Sequence, residues 1–224
     1  MDAAMLAWMM IGGIAGGGAS IAAVRWSASI ARVPRAGFVV SSAFGVLIGV
    51  VTGRIVGDAG WLGTPAQAVL LVCMLLALAM AVADALVQWV PLAVAAACIV
   101  AGLAAHLLSP DRSLVSGMIG AVIGSLVLLV LHVGSRWARQ SAKGPDEADN
   151  PVGVGDVWVG AAIGAVSGWP LVVSSLMIGA LLAAGVAVVL LVRGQERSAT
   201  LPLGTCLCAG ALISVLRMLA LHIP

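Results

Sequence analysis

The sequence predicts an all-α, polytopic integral membrane protein with about eight transmembrane helices, and two observations support this prediction. Of its 224 residues, 62% are hydrophobic and only 9% are charged, whereas about a quarter of an ordinary globular chain is charged. The hydrophobic residues are gathered into runs, most of which reach the roughly 20 residues that a helix needs to cross a bilayer. So few charges cannot solvate a soluble surface, which excludes cytosolic, disordered and nucleic-acid-binding proteins.

The apolar runs follow one another so closely that no soluble domain fits between them. Eight spans of about 20 residues leave only about 64 residues for the loops and the two ends. The runs lie near residues 4–24, 37–57, 66–86, 90–108, 114–134, 157–169, 171–192 and 203–222. The sixth run is the shortest. We divide the chain into residues 1–36, an N-terminal transmembrane helix with a short cytoplasmic loop, and residues 37–224, one transmembrane domain.

The basic residues predict the orientation of these spans. With the N-terminus outside, eight of the 11 Lys and Arg residues fall on the cytoplasmic side and three on the other, as the positive-inside rule requires. The three on the outer side are Arg54, Arg112 and Arg217. The longest loop, residues 134–151, is cytoplasmic and is expected to be a flexible linker. We expect a multi-pass protein of the cell inner (plasma) membrane.

Glycines recur at every fourth position in three of the spans. Because this spacing places them on one helix face, they predict close contact between helices, which pack through small residues in a bilayer. The glycines concerned are Gly45, Gly49 and Gly53, then Gly120 and Gly124, and finally Gly160, Gly164 and Gly168.

Two acidic residues stand at the ends of predicted spans. Asp84 closes the third span and Asp156 opens the sixth, so both fall at the cytoplasmic membrane edge. An ionised side chain in hydrocarbon costs about 3 kcal/mol or more, which makes such acids candidates for function. Two carboxylates that meet can share one proton and provide an acid and a base, the chemistry of an aspartyl protease. Either residue alone could equally be a helix cap or a charge that reaches the membrane surface.

Short motifs around these acids resemble one family. Residues 153–156 read Gly-Val-Gly-Asp, the G-x-G-D pattern of membrane-embedded aspartyl proteases. Asp84 is followed seven residues later by Pro91, and Pro202 and Gly204 form a Pro-x-Gly entry to the last span. Together these features, which extend over about residues 40–220, resemble the type IV prepilin peptidase family, also called type 4 leader peptidases.

The resemblance implies an aspartic endopeptidase that removes the leader of prepilin-like proteins at the cytoplasmic membrane face. It assigns Asp84 and Asp156 as the catalytic pair. The substrate's hydrophobic N-terminal helix would dock laterally from the lipid bilayer. The residues expected to shape the backbone and packing of the active site are Gly153, Gly155, Pro91, Pro202 and Gly204. The glycines of the G-x-G-D motif are expected to permit a tight turn and a close approach.

The positions of the cysteines indicate whether a metal-binding domain is present. Many relatives also N-methylate the new amino terminus and carry two C-x-x-C pairs in a large first cytoplasmic loop, but residues 25–35 are few and contain no cysteine. We therefore expect a peptidase without a methyltransferase domain, without a cofactor and without a structural metal. Cys206 and Cys208 are two residues apart on a predicted helix and so point to different faces.

Two alternatives remain open. The family usually has Lys two residues after the G-x-G-D aspartate, where this chain has Trp158. A catalytically inactive homologue that binds or escorts pilin-like subunits is therefore the second hypothesis. A small transporter or channel is the third, although the sequence has no convincing internal repeat of the kind that many transporters contain.

Overall fold

A computed structural model describes residues 3–30, 35–58, 64–143, 153–193 and 202–221. Within these ranges the chain forms eight α-helices and no strand, which confirms the predicted fold class. The helices are α1 (Ala3–Ile30), α2 (Arg35–Asp58), α3 (Thr64–Val87), α4 (Leu92–Leu108), α5 (Leu114–Lys143), α6 (Val154–Ser167), α7 (Leu171–Val192) and α8 (Leu203–Leu221).

The helices have the length and composition of membrane spans. Five of those described contain stretches long and apolar enough to cross a bilayer, in α1, α3, α5, α7 and α8. The other three contain shorter apolar stretches, and α6, the predicted short span, has only 14 residues. The protein is therefore a multi-pass membrane protein.

Four helices form the centre of the bundle. α3, α4, α6 and α8 pack against one another, and their contacts bury Leu70, Met80, Val159 and Val215. α5 packs mainly on α6, α7 packs mainly on α8, and α1 pairs with α2 and α3. α5 and α7 leave most of their apolar side chains exposed, as a lipid-facing helix does. Because consecutive helices run in opposite directions, the end of α3 lies beside the beginnings of α4, α6 and α8.

The glycine faces predicted from the sequence are contact surfaces. A Cβ atom added to Gly120 would overlap the Gly164 carbonyl oxygen, and one added to Gly124 would overlap that of Gly160. In the same way, Gly45 and Gly49 of α2 lie directly on the α1 backbone. Backbones approach this closely only where side chains are absent, so the prediction of glycine-mediated packing is confirmed.

The predicted linker is partly wrong. The sequence indicated a flexible loop over residues 134–151, but α5 continues as helix through Lys143. The apolar stretch of α5 ends at Trp137, and the residues that follow are mostly Ala, Arg, Gln and Lys, which favour helix and include no proline. The helix therefore extends beyond its apolar stretch. Residues 144–151 of the predicted linker lie outside the described ranges.

Replacement of Gly164 by Val should destabilise the protein because the new side chain would collide with the backbone of α5. We expect the free energy of unfolding to fall by about 1–3 kcal/mol, the usual effect of overpacking. The measurement is unfolding in SDS followed by circular dichroism. Gly185→Val is the matched control, because no heavy atom lies within 4 Å of a Cβ built there. Equal losses in both variants would contradict the assignment of Gly164 to a tight contact.

Candidate active site

The corner between α3 and α4 carries Asp84. The amide of Gln88 donates to the Asp84 carbonyl (2.8 Å), and Gln88 has a φ of 53°, in the left-handed region that terminates helices. Pro91 then precedes α4, and its carbonyl accepts hydrogen bonds from the amides of Val94 and Ala95. The seven-residue spacing between Asp84 and Pro91 is thus the length of the last turn of α3 plus a tight corner.

The Asp84 carboxyl group lies against the beginning of α8. Its Oδ2 atom accepts a hydrogen bond from the Thr205 amide (2.7 Å) and lies 3.0 Å from the Thr205 hydroxyl. The same hydroxyl lies 2.9 Å from the Ala81 carbonyl oxygen. Asp84 therefore satisfies an otherwise unpaired amide in the first turn of α8. This explains how a side chain that is only 6% exposed keeps polar partners.

Gly204 permits this contact. A Cβ atom at Gly204 would lie 3.0 Å from the Asp84 carboxyl carbon and 3.1 Å from its Oδ2 atom, closer than ordinary packing allows. Pro202 precedes α8, and its carbonyl accepts a hydrogen bond from the Cys206 amide (3.3 Å). The Pro-x-Gly motif thus begins α8 and leaves room for a carboxyl group at its first turn.

Asp156 lies in the first turn of α6. Its carboxylate accepts a hydrogen bond from the Gly153 amide (2.8 Å), and its own amide donates to the Gly153 carbonyl (3.1 Å), an arrangement that stabilises the start of a helix. The roles expected of the two motif glycines stay predictions, because the neighbouring residues 144–152 lie outside the described ranges. Gly153 has an ordinary extended backbone, and no heavy atom of a described residue lies within 4 Å of a Cβ built on Gly155.

The bundle brings the two acids to the same end of the molecule. α3, α6 and α8 pack together, and the carboxyl groups of Asp84 and Asp156 lie close enough to interact electrostatically. Cys208 of α8 is fully buried. Asp84 is the more deeply buried acid, whereas Asp156 is half-buried. The two carboxyl groups therefore differ in their access to solvent.

Two neighbours of the acids were missed by the sequence analysis. Thr205 follows the Pro-x-Gly motif directly, and this position beside Gly204 was the available signal. His132 of α5 interacts electrostatically with Asp156, and nothing in the sequence near His132 indicates this. Trp158, at the position where the family usually has Lys, is exposed. Within the described ranges, no group of three or more His, Cys, Asp or Glu side chains is arranged to hold a metal ion.

A polytopic helical membrane protein with two acids at one end of its bundle belongs to a narrow class, and comparison with known proteins identifies the family. The sequence profile of the type IV leader peptidase family matches residues 70–188, just over half of the chain. The chain belongs to this family, which confirms the resemblance. The match includes both acids and ends before Pro202. No curated protein and no solved structure matches the chain.

Thr205→Val should weaken the junction between α3 and α8. Valine has nearly the same shape, and its amide still donates to Asp84, but it has no hydroxyl to bond to Asp84 or to the Ala81 carbonyl, so we expect a loss of about 1 kcal/mol in the free energy of unfolding. Unfolding in SDS provides the measurement. Thr205→Ser, which keeps the hydroxyl, is the matched control and should retain most of the stability. If Thr205→Val is as stable as the wild type, the hydroxyl does not support this junction.

Proposed function

We propose that this protein is an aspartic endopeptidase that cleaves the leader of type IV prepilin-like proteins, with Asp84 and Asp156 as its catalytic pair. One observation carries the proposal: two acids that are distant in the sequence lie within electrostatic reach at one end of the bundle. Membership of a leader peptidase family supports the same conclusion.

The surroundings of the two acids favour different roles for them. The Thr205 hydroxyl has one proton but lies within bonding distance of two oxygen atoms, the Ala81 carbonyl and Asp84 Oδ2. Both contacts are hydrogen bonds if Thr205 donates to Ala81 and a protonated Asp84 donates to Thr205. Each acid accepts one amide hydrogen bond, but Asp84 is only 6% exposed and Asp156 is half-buried, and burial disfavours the charged form of a carboxyl group. We assign the shared proton to Asp84 in the resting enzyme.

The reaction follows from this assignment. Asp156 removes a proton from a water molecule, whose oxygen attacks the scissile carbonyl carbon, while Asp84 gives its proton to the carbonyl oxygen. When the tetrahedral intermediate collapses, the C–N bond breaks and the leaving amine receives the proton held by Asp156. The hydroxyl proton of the intermediate returns to Asp84, so both acids regain their starting states.

An apolar groove beside Asp84 is the proposed docking place for the hydrophobic helix of the substrate. It has a volume of about 510 Å³ and lies between α1, α3 and α4. Its lining includes Ala83, the residue before Asp84, and Pro91 at the start of α4. Most of the remaining lining is also alanine, which leaves room for another helix. A transmembrane segment in this groove would present its end to the catalytic pair.

The active end is proposed to face the cytoplasm from the inner membrane. α5 ends on this side with Arg136 close to its membrane boundary, and Arg193 follows α7 there. The basic residues that set the orientation thus lie at the same end as the two acids.

The methyltransferase activity of many relatives is proposed to be absent. α1 ends at Ile30 and α2 begins at Arg35, so only residues 31–34 separate them. All four cysteines are buried in other helices. No cofactor is needed for the proposed reaction.

Asp84→Asn and Asp156→Asn should each abolish cleavage of a reconstituted prepilin-like substrate, because a general acid or base contributes about 10²–10⁴-fold in rate. Gel analysis of the shortened product measures the cleavage rate. Asp111→Asn changes an exposed acid at the opposite end of the bundle and should leave the rate unchanged. Cleavage at the wild-type rate by either Asn variant would exclude the proposed pair.

The same experiment tests the second candidate, an inactive homologue that binds or escorts pilin-like subunits. The observation that favours it is Trp158, an exposed aromatic residue where relatives usually have Lys. Wild-type protein that binds the substrate but never shortens it would support this alternative.

Ala79→Phe should fill the groove between α1, α3 and α4. We expect KM for a prepilin-like substrate to rise about tenfold with little change in kcat, because the change affects binding of the apolar helix and leaves the acids in place. Steady-state cleavage in proteoliposomes separates the two constants. Ala180→Phe, on the exposed surface of α7, is the control. An unchanged KM in Ala79→Phe would place the substrate elsewhere.

A further inference from the structure

A polar cavity lies at the end of the bundle opposite the acids. It has a volume of about 680 Å³ and is formed where the α4–α5 loop meets the turn between α6 and α7. Its polar lining includes His106, Asp111, Arg112, Ser113, Ser116 and Ser167. In a chain with 9% charged residues, so many polar groups in one place need an explanation. None of them takes part in the proposed peptidase reaction.

His106 is the most unusual member of this lining. Its side chain is only 2% exposed, and neither ring nitrogen has a hydrogen-bond partner among the residues that the structure describes. The Val166 backbone lies nearby but outside hydrogen-bond geometry. A buried polar group without a partner costs free energy, and such groups in native proteins usually bond to a ligand or a water molecule.

Two glycines hold the His106 ring in place. A Cβ atom added to Gly117 of α5 would lie 2.8 Å from the ring Cδ2 atom, and one added to Gly168 would lie 2.6 Å from Cε1. Gly168 also has a φ of 71°, a conformation that other residues rarely adopt. The ring is therefore fixed at the wall of the cavity by tight packing on both sides, and it cannot readily rotate to find another partner.

Arg112 adds a positive charge to the same cavity. Its guanidinium group donates to the Met218 sulfur (3.0 Å), which is a weak acceptor, and it forms no ion pair with any described residue. Burial lowers the pKa of Arg112 because its charge is partly removed from water, and no described acid forms an ion pair with it. An anion in the cavity would supply the missing compensation.

Two helices begin at this cavity. α5 starts at Leu114, where the Ser113 hydroxyl accepts a hydrogen bond from the Val115 amide (3.2 Å). α7 starts at Leu171, and Pro170 before it also lines the cavity. The amides of Val115, Ser116, Val172 and Val173 already donate within the protein. The partial positive charge at the beginning of a helix nevertheless favours an anion such as phosphate.

We propose that this cavity binds a phosphate group, with the His106 ring and the Arg112 guanidinium as its hydrogen-bond donors. The planar guanidinium group of Arg112 can donate two parallel hydrogen bonds to phosphate oxygens. The buried His106 ring gains a hydrogen-bond acceptor for its N–H group. Asp111 is exposed at the same cavity and is the one acid among the described residues that line it. When the phosphate belongs to an ethanolamine headgroup, the Asp111 carboxylate can form an ion pair with the ammonium group. The phosphate can come from a lipid headgroup or from the free ion.

The test uses the purified full chain in detergent, with thermal unfolding as the measure of binding. The probes are inorganic phosphate, phosphatidylethanolamine, phosphatidylglycerol and diacylglycerol, which has the same chains but no phosphate. We expect phosphate-bearing probes to raise Tm and diacylglycerol to leave it unchanged. Arg112→Gln should weaken the apparent affinity about tenfold. Arg217→Gln, which removes an exposed arginine near the same end, should bind as the wild type does.

The probes distinguish the sources. Stabilisation by both phospholipids and inorganic phosphate assigns the site to the phosphate group itself, and stabilisation by phospholipids alone assigns it to a lipid headgroup. Either supports the proposal. Equal stabilisation by diacylglycerol, or unchanged affinity in Arg112→Gln, overturns it. If Arg112→Gln does not fold, Arg112→Lys replaces it, because lysine keeps the charge but cannot donate paired hydrogen bonds. Arg112→Lys should bind phosphate with reduced affinity. Wild-type affinity in this variant would contradict the role of the guanidinium group.

Discussion

The contact between the Asp84 carboxyl group and the first turn of α8 is the interaction on which the end of the bundle that carries the two acids depends. The carboxyl group meets the amide and hydroxyl of Thr205 and lies directly over Gly204. A buried acid without hydrogen-bond partners would be costly, and this contact supplies them. It also joins α3 to α8, which together with α6 brings Asp156 within electrostatic reach.

The two ends of the bundle have different chemistry but share their helices. α4 runs from Pro91 beside Asp84 to His106 at the polar cavity, and α6 runs from Asp156 to Ser167. These two helices touch where Gly102 lies on the backbone at Ala165. A phosphate-bearing group at one end would thus be bound by helices that also position the groups proposed for catalysis at the other.

The sequence was sufficient for those features that depend on local pattern or composition. Hydrophobic runs predicted eight helices because a bilayer requires continuous apolar segments, and the four-residue spacing of Gly120 and Gly124 predicted a contact face. Asp84 and Asp156 stood out because acids are rare in such runs. Features that depend on a distant partner could not be predicted: Thr205 matters only because α3 ends beside it, and His132 only because α5 faces Asp156. The helical extension of α5 was missed because hydropathy measures apolar length, not helix length.

The central claim is that Asp84 and Asp156 share one proton, and infrared spectroscopy of carboxyl groups tests it most directly. Spectra of the protein in lipid at neutral pH should contain a protonated-carboxyl band that is lost in Asp84→Asn, shifted in Asp156→Asn and unchanged in Asp111→Asn. If no such band is present, or if it is the same in all three variants, the two acids do not act as a coupled pair.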